Sequence, residues 1–418
     1  MSWLLWLMLL GLLAWFMVWS LRIPPPLMGV YSRPSKWYWV KVAVFYALVK
    51  LRRWQGGRGE ASEKGNVGYG RKSRPSIESM ECVQPLTTHP KAIDAVYFNG
   101  ANANGQYIVA ATARRPHGVV NGILYIRLPG VGMLQLPRMP DTLLFGDGEG
   151  FGAEGLKINP VKPMAHWKIQ YKGAMKIWGD VLSSKEVEMN LEFKSDLPYF
   201  DFDTDMDTVA MARSMSREPW SKEYFENLKN AHQTHYEQMG RIEGTVIVDG
   251  HPHVLRLDHG MRDHSYGHKR EWKLLHRYGL HMFTTEDGDQ VNVGIVSQPV
   301  TCSQLELGYI YENGKLKPVS SVTLPLWQHG ENGHPPAEYA FSFIAGGKEY
   351  VVEVFVVEAP EFYMGWEWEA RLVERFATFK LNGRKGWGVT EWDYRHHGGR
   401  PHVYAASDPA WTKDIVKG

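Results

Sequence analysis

"GTVIVDGHPHVLRLDHGMRDHSYG", residues 244–267, sets two runs of β-forming residues on either side of Asp249-Gly250. Asp-Gly between such runs is the pattern of a two-residue turn, so the stretch reads as an antiparallel hairpin. Along a strand, neighbouring side chains point to opposite faces. Arg262, His264, Tyr266, His268, Arg270 and Trp272 then share one face, and Asp263, Ser265, Lys269 and Glu271 share the other.

The same signals recur outward from this hairpin. Asn-Gly falls at 99–100, 104–105, 121–122, 313–314, 332–333 and 382–383, and Asp-Gly at 147–148 and 287–288. Runs such as "QYIVAATARR" (106–115), "GILYIRL" (122–128) and "KEYVVEVFVVEA" (348–359) read as strands, so the body is mainly antiparallel β. One helical interruption stands out, "SMSREPWSKEYFENLKNAHQTHYEQMG" (214–240), with a Ser cap, early acidic residues and Gly240 as its stop. It divides the body into an N-terminal β domain with connecting helix over 91–240 and a C-terminal β domain over 241–418.

The 418 residues suffice for two cores, and 44% hydrophobic against 22% charged residues is a globular balance. A net charge of +2, with no basic stripe beyond the first sixty residues, argues against nucleic acid as a partner. Cys82 and Cys302 are the only cysteines, which excludes a disulfide framework, and no Asn-x-Ser/Thr occurs. Both observations lean towards a body facing the cytosol. Aromatic residues at 13% suit an apolar cavity or a large core equally.

"WLLWLMLLGLLAWFMVW", Trp3 to Trp19, is uncharged and, with Ser20 and Leu21, long enough to cross a bilayer as a helix. No positive region precedes it and no small-residue cleavage site follows it, so 1–22 reads as an uncleaved transmembrane anchor. Arg22, Arg33, Lys36, Lys41, Lys50, Arg52, Arg53 and Arg58 all come after it, which places the body on the cytosolic side of an endomembrane such as the ER. "WYWVKVAVFYALVKLRRW" (37–54) reads as a helix lying in the membrane surface, with Lys41 arguing against a second span. Residues 55–90, rich in Gly, Ser, Pro and charge, read as a linker that completes a 23–90 segment.

Most catalytic motifs can be set aside. On a strand His264 faces away from both Asp263 and Ser265, so these three cannot form a hydrolase relay. His251 and His253 lack further ligands at zinc spacing. "DFDTDMD" (201–207) places Met206 and Ala212 where an EF-hand loop needs Gly and Glu. "GFGAEG" (150–155) is followed by two prolines and flanked by carboxylates, unlike a dinucleotide loop. Neither a metal nor another cofactor is expected. His232 and His235 read as anchors holding the connecting helix to the β domains.

What survives is a polar ridge of Arg262, His264 and Tyr266 that a barrel would turn inward. A buried Arg needs a counter-charge, and Glu391 in "GRKGWGVTEWDYRH" (383–396), with Trp387 and Trp392 around it, lies in the same β half. Two readings stand side by side: a structural ion-pair network closing the barrel, or a set of acids and donors within a ligand cavity.

"RDHSYG" (262–267), "REW" (270–272) and the late G-x-G-x-x-E at 386–391 resemble the hydroxyneurosporene synthase and AttH-like group. That group is similar to tocopherol cyclase and certain fungal Diels–Alderases in having two lipocalin-like barrels, and the anchor would make this chain a membrane-anchored, animal-type member. The resemblance implies two consecutive lipocalin-like antiparallel barrels or sandwiches with a connecting helix. It also implies a pocket for a large apolar molecule, an isoprenoid, polyene or lipid, which some members hydrate or cyclise. Carried over are Arg262, Asp263, His264, Ser265, Gly267, Trp272 and Glu391, with Tyr266 where the group has Trp. Asp263, His264, Arg262 and Glu391 are then the expected catalytic residues, and Tyr266, Trp272, Trp387 and Ser265 the expected ligand contacts. Protonating a C=C bond needs an acid, and a desolvated Asp263 would keep its proton for that purpose. Similar segments precede phosphoenolpyruvate-synthase-like domains in some animal proteins, but no such domain follows here, so phosphotransfer is not implied.

Three functions remain open: a lyase or isomerase acting on the apolar molecule, a non-catalytic lipid or pigment carrier, and an interaction protein with filled barrels. Oligomeric state is open as well. The first two share one expectation, that the C-terminal half encloses a hollow into which Arg262 and His264 project.

Overall fold

Alternating apolar and polar side chains in the long runs produce two closed rings of antiparallel strands. The computed structural model describes residues 22–56, 76–148 and 150–405, with scattered positions among the first fifteen. The expected anchor over 1–22 therefore lies, apart from those positions and Arg22, outside the described residues, as does much of the linker. Among the described residues no helix is long and apolar enough to cross a membrane.

The first ring is built from β1 (Ile93–Ala101), β2 (Tyr107–Arg114), β3 (Val119–Leu128) and β4 (Gly132–Gln135). After the short strands β5 (Leu143–Phe145), β6 (Phe151–Ala153) and β7 (Leu156–Lys162), it continues through β8 (His166–Ile177) and β9 (Asp180–Lys194). Past β10 (Phe200–Asp201), β11 (Thr234–Val248) and β12 (His251–Gly267) complete it. β4 pairs with β8, β9 with β11 and β12 with β1, so eight strands close on themselves.

The second ring runs through β13 (Arg277–Thr285), β14 (Gln290–Gln298), β15 (Cys302–Glu312), β16 (Lys315–Val322), β17 (Glu338–Ala345) and β18 (Lys348–Glu358). β19 (Glu361–Met364) flanks it, and β20 (Ala370–Leu381) and β21 (Arg384–Arg395) finish it. Pairings of β18 with β20 and of β13 with β21 close these eight strands.

The division between the halves differs from the sequence reading. β11 and β12 close the first barrel, since β12 pairs with β1 from Ile93↔Gly267 to Ala101↔His259, and the second barrel starts at Arg277. The helical interruption is also shorter. It consists of helices Thr208–Arg217 and Lys222–Asn230, and from Thr234 the chain is already strand. Gly240 is no helix stop; it sits where a Cβ would lie 2.4 Å from the Lys194 carbonyl oxygen, a close approach between β11 and β9.

Most of the Asn/Asp-Gly pairs do turn hairpins. Asp249 and Gly250 (φ 48 and 83°) and Asn382 and Gly383 (φ 50 and 84°) adopt the paired positive φ that such turns require. Asn121-Gly122 instead lies within β3, where a Cβ on Gly122 would meet Leu144 Cδ1 at 2.4 Å.

Both barrel interiors are filled. Phe98, Trp167 and Phe193 pack in the first, with ring centroids 5.6 Å apart for each pair that Phe98 makes. In the second, Phe283 stacks on Phe379 at 4.3 Å, and Tyr31 from the N-terminal segment is fully buried, its hydroxyl 2.6 Å from Glu331 Oε2. One continuous apolar cluster joins the barrels side by side, running from Phe98 through Met261 and Met282 to Phe376. Tyr107 of the first barrel stacks on Phe376 of the second at 4.8 Å.

Candidate functional site between the barrels

The alternation on β12 holds, and its two faces serve different compartments. Arg262 and His264 point into the first barrel and are fully buried. Arg262 pairs with both carboxylate oxygens of Glu81 at 2.9 Å and donates to Gln238 Oε1 at 2.9 Å and 3.1 Å. Its guanidinium lies 5.4 Å from the Trp167 ring centroid. Glu81 also accepts from Trp167 Nε1, the Met164 amide and the Tyr236 hydroxyl at 3.0, 3.0 and 2.7 Å. Burial works to raise the Glu81 pKa, but Arg262 and these donors outweigh it and hold the carboxyl below its ordinary value. His264 bridges Asp94 Oδ1 at 2.7 Å and the Tyr236 hydroxyl at 2.8 Å.

This is the structural network, and it corrects three expectations. Arg262 and His264 lie in a filled barrel interior, because β12 closes the first ring and not the second. The counter-charge of Arg262 is Glu81, from the stretch read as linker, and not Glu391. Tyr266 shares this inner side, its ring 5.1 Å from that of His264, and forms no part of the cavity wall.

The cavity lies on the other face of β12, between the barrels, with a volume of about 600 Å³. Strand register explains its floor. Opposed positions place Ile123, Ala111, Tyr97, Asp263 and Glu237 in one row across β3, β2, β1, β12 and β11. A second row runs Asn121, Ala113, Ala95, Ser265 and His235. All ten face the cavity. The small alanines leave room, and the polar residues gather at the β11–β12 end. Tyr278, Leu280 and Met282 of β13 and Glu391 of β21 form the facing wall, with Trp272 and Leu275 from the connection between barrels. Met206 and His232 lie at its edge.

The electrostatics centre on Asp263. Burial pushes its carboxyl pKa up and the Glu237 charge adds to this, while His235 and Arg270 oppose it. No hydrogen-bond donor among the described residues reaches the carboxyl, which opens onto the cavity. Its neighbours are tied down. His235 Nε2 lies 3.1 Å from Glu237 Oε1, and the Asn292 amide donates to the other oxygen of Glu237. Burial alone would lower the His235 pKa; the bond to Glu237 and the charges of Asp263 and Glu237 outweigh it and raise it. Arg270 donates to Ser265 Oγ at 2.8 Å and to Gln233 Oε1 at 2.6 Å.

Across the cavity, Glu391 accepts from the Tyr278 hydroxyl and stands in register with Glu374, which accepts from Tyr97 Oη at 2.6 Å. Burial raises the pKa of both carboxyls; the Glu391 charge adds to this at Glu374, while at Glu391 the hydrogen bonds with Tyr278 and Glu374 oppose it.

Of the residues singled out in the sequence, Asp263, Ser265, Trp272 and Glu391 converge on the cavity, whereas Arg262, His264, Tyr266 and Trp387 do not. Trp387 packs against the apolar cluster between the barrels, outside the cavity. Sequence reasoning missed Tyr97, Tyr278 and Glu374, for which no local signal exists. It also missed His235 and Glu237, whose alternation in "THYEQMG" (234–240) was readable as strand. Among the described residues, no group of three His, Cys, Asp or Glu side chains could hold a metal ion.

The chain belongs to a family of unknown function, DUF8627, whose model matches residues 7–394. No curated protein matches it in sequence. Among solved structures it is similar to an AttH-like protein of Nitrosomonas europaea, at 10% identity and a TM-score of 0.48, covering 73% of this chain and 93% of that one. It is also similar to kievitone hydratase from Nectria haematococca (11% identity, TM-score 0.47, covering 81% and 96%) and to CghA (10% identity, TM-score 0.45, covering 77% and 95%).

Proposed function

We propose that the cavity between the barrels receives a large, mostly apolar molecule of the isoprenoid, polyene or lipid kind, and that Asp263 is the acid that protonates one of its C=C bonds. One observation carries this reading: a carboxyl with no hydrogen-bonding partner among the described residues, its pKa raised by desolvation, faces a cavity lined for the most part by apolar side chains, with its polar groups gathered near the β11–β12 end and at Glu391. A volume of about 600 Å³ lies well within the range of roughly 300–1,000 Å³ typical of small-molecule pockets.

In the proposed step the Asp263 proton forms a C–H bond using the π electrons of the alkene, leaving a carbocation and a carboxylate. The rings of Tyr278 and Trp272 border the space where that cation develops. Water adding to the cation and losing a proton gives hydration; attack by a second C=C bond gives cyclisation; loss of a different proton gives isomerisation. His235, adjacent in the floor and protonated more readily than usual, stands beside Asp263 to return its proton.

The resemblance of "RDHSYG…REW" to the AttH-like group favours the same class of ligand. We place the chain at an endomembrane with its body facing the cytosol, on the uncharged Trp3–Trp19 stretch and the basic residues that follow it. The test is organic extraction of the purified protein followed by mass spectrometry, repeated on Asp263→Asn. Retained ligand with lost turnover supports the acid role. Retained ligand with no turnover by either protein leaves a carrier, and an empty cavity in both contradicts the reading.

A further inference from the structure

Helix Tyr38–Gly56 has two apolar faces, and the body uses only one. Tyr38, Phe45 and Val49 are buried against the body, the Phe45 ring 6.4 Å from that of Trp220. Two of its cations are engaged on that side as well. Lys41 Nζ donates to the carbonyl oxygens of Glu218 and Ser216, and Arg53 donates to Met206 O at 2.8 Å and Thr208 Oγ1 at 2.9 Å.

On the opposite face Val40, Val44, Leu48, Leu51 and Trp54 follow one another at spacings of three and four residues, which makes one stripe along the helix. All are exposed, Val40 by 53% and Trp54 by 59%. A continuous stripe of this kind in water is unfavourable and marks a surface that something covers.

Charge says what covers it. No Asp or Glu occurs before Glu60, whereas Arg33, Lys36, Lys50 and Arg52 are exposed around the stripe. An apolar stripe with aromatic residues, flanked in the chain by cations and by no carboxylate, matches the interface of a bilayer carrying anionic lipid, where acyl chains take the stripe and headgroups the cations. Among the described residues this helix is not apolar enough to cross a bilayer, so contact with one would be along its surface.

We infer that the outward face of helix Tyr38–Gly56 is seated in the headgroup region of an anionic bilayer. The inference does not depend on the chemistry proposed for the cavity. The experiment uses the full chain with Cys82→Ser, reconstituted with vesicles of phosphatidylcholine and phosphatidylserine. A polarity-sensitive fluorophore is attached at Val44→Cys or, as control, at Leu182→Cys, a position 93% exposed on the first barrel. At position 44 the emission should shift to the blue and be quenched by lipids with brominated acyl chains; at 182 it should do neither. Adding Val40→Glu and Leu51→Glu should abolish the quenching at 44. A blue shift without quenching means that the N-terminal stretch or a second copy covers the face, and overturns the inference. No shift at all overturns it equally.

Discussion

Arg262 and Asp263 are adjacent on one strand yet serve separate compartments: the guanidinium pairs with Glu81 inside a filled barrel, and the carboxyl opens into the cavity between barrels. The period of two along β12 makes this unavoidable, because both faces of the strand are covered. One neighbour is held in a buried ion pair, and the other lines the cavity.

Arg262→Met should therefore cost stability without touching the cavity. It leaves Glu81 as a buried carboxylate without its cation, a loss of about 3–5 kcal/mol by the usual cost of breaking such a pair. Adding Glu81→Gln should recover part of that loss, while adding Glu391→Gln should recover none. Urea unfolding of the single and double variants measures both. Recovery from Glu391→Gln would restore the pairing that the sequence suggested.

The Glu374–Glu391 pair predicts a stability that falls on the alkaline side. Burial raises the Glu374 pKa well above the ordinary carboxylate value, with the Glu391 charge adding to it. A group whose pKa is raised on folding stabilises the protein fully below its unfolded pKa, and that contribution is lost as pH rises through the folded value. Glu374→Gln keeps an oxygen to accept from Tyr97 but cannot ionise. Its Tm relative to the unmodified protein should be higher at about pH 8 than at about pH 5. An unchanged difference would show that folding does not raise the Glu374 pKa.

His259 and His281 predict the acid limb. Burial pushes each pKa down to about 3. His259 lies between Asn99 Oδ1 at 2.8 Å and Thr284 Oγ1 at 3.0 Å, so the neutral ring links β1 and β12 to β13. A depressed pKa contributes stability above the unfolded value, and that contribution disappears as pH falls from about 6.5 towards the folded value. His259→Gln should lower stability at neutral pH and flatten its decline in acid, as followed by urea unfolding across that range. A decline as steep as in the unmodified protein would contradict this assignment.

How much of this was legible in the sequence depends on what each residue's neighbours are. The hairpin at Asp249-Gly250, the alternation of Arg262 with Asp263 and the mainly β architecture are local properties, and local spacing revealed them. Which ring β12 closes is not local: it is fixed by pairing with β1, some 160 residues away, as in Asn99↔Met261. Taking Arg262 to face a hollow in the C-terminal half followed from placing the boundary at 240. Where two barrels share an interface both faces of a strand are buried, so a polar residue on either face looks alike. Glu81 was hidden for a different reason, since a stretch of Gly, Ser and Pro around it suggested linker. His235 and Glu237 read as helix because Gly240 looks like a stop in the sequence, where the close approach of Lys194 does not show.

Asp263→Asn should separate binding from chemistry. The amide fills the same space but cannot deliver a proton to a C=C bond, so conversion of the bound molecule should stop while its affinity changes little. Side-by-side ligand titration and product analysis would show it. Undiminished conversion by the variant would remove Asp263 from the mechanism.

The most direct test of the cavity itself is native mass spectrometry of the full chain purified under mild conditions, alongside Ala111→Trp. Ala111 lies in the floor beside Tyr97, in the same row as Asp263, and an indole there occupies the space that a ligand needs. An apolar small molecule should be bound to the unmodified protein and to Asp263→Asn, and lost from a folded Ala111→Trp. A small molecule that persists in Ala111→Trp, or none in any of the three, would contradict a ligand role for the cavity.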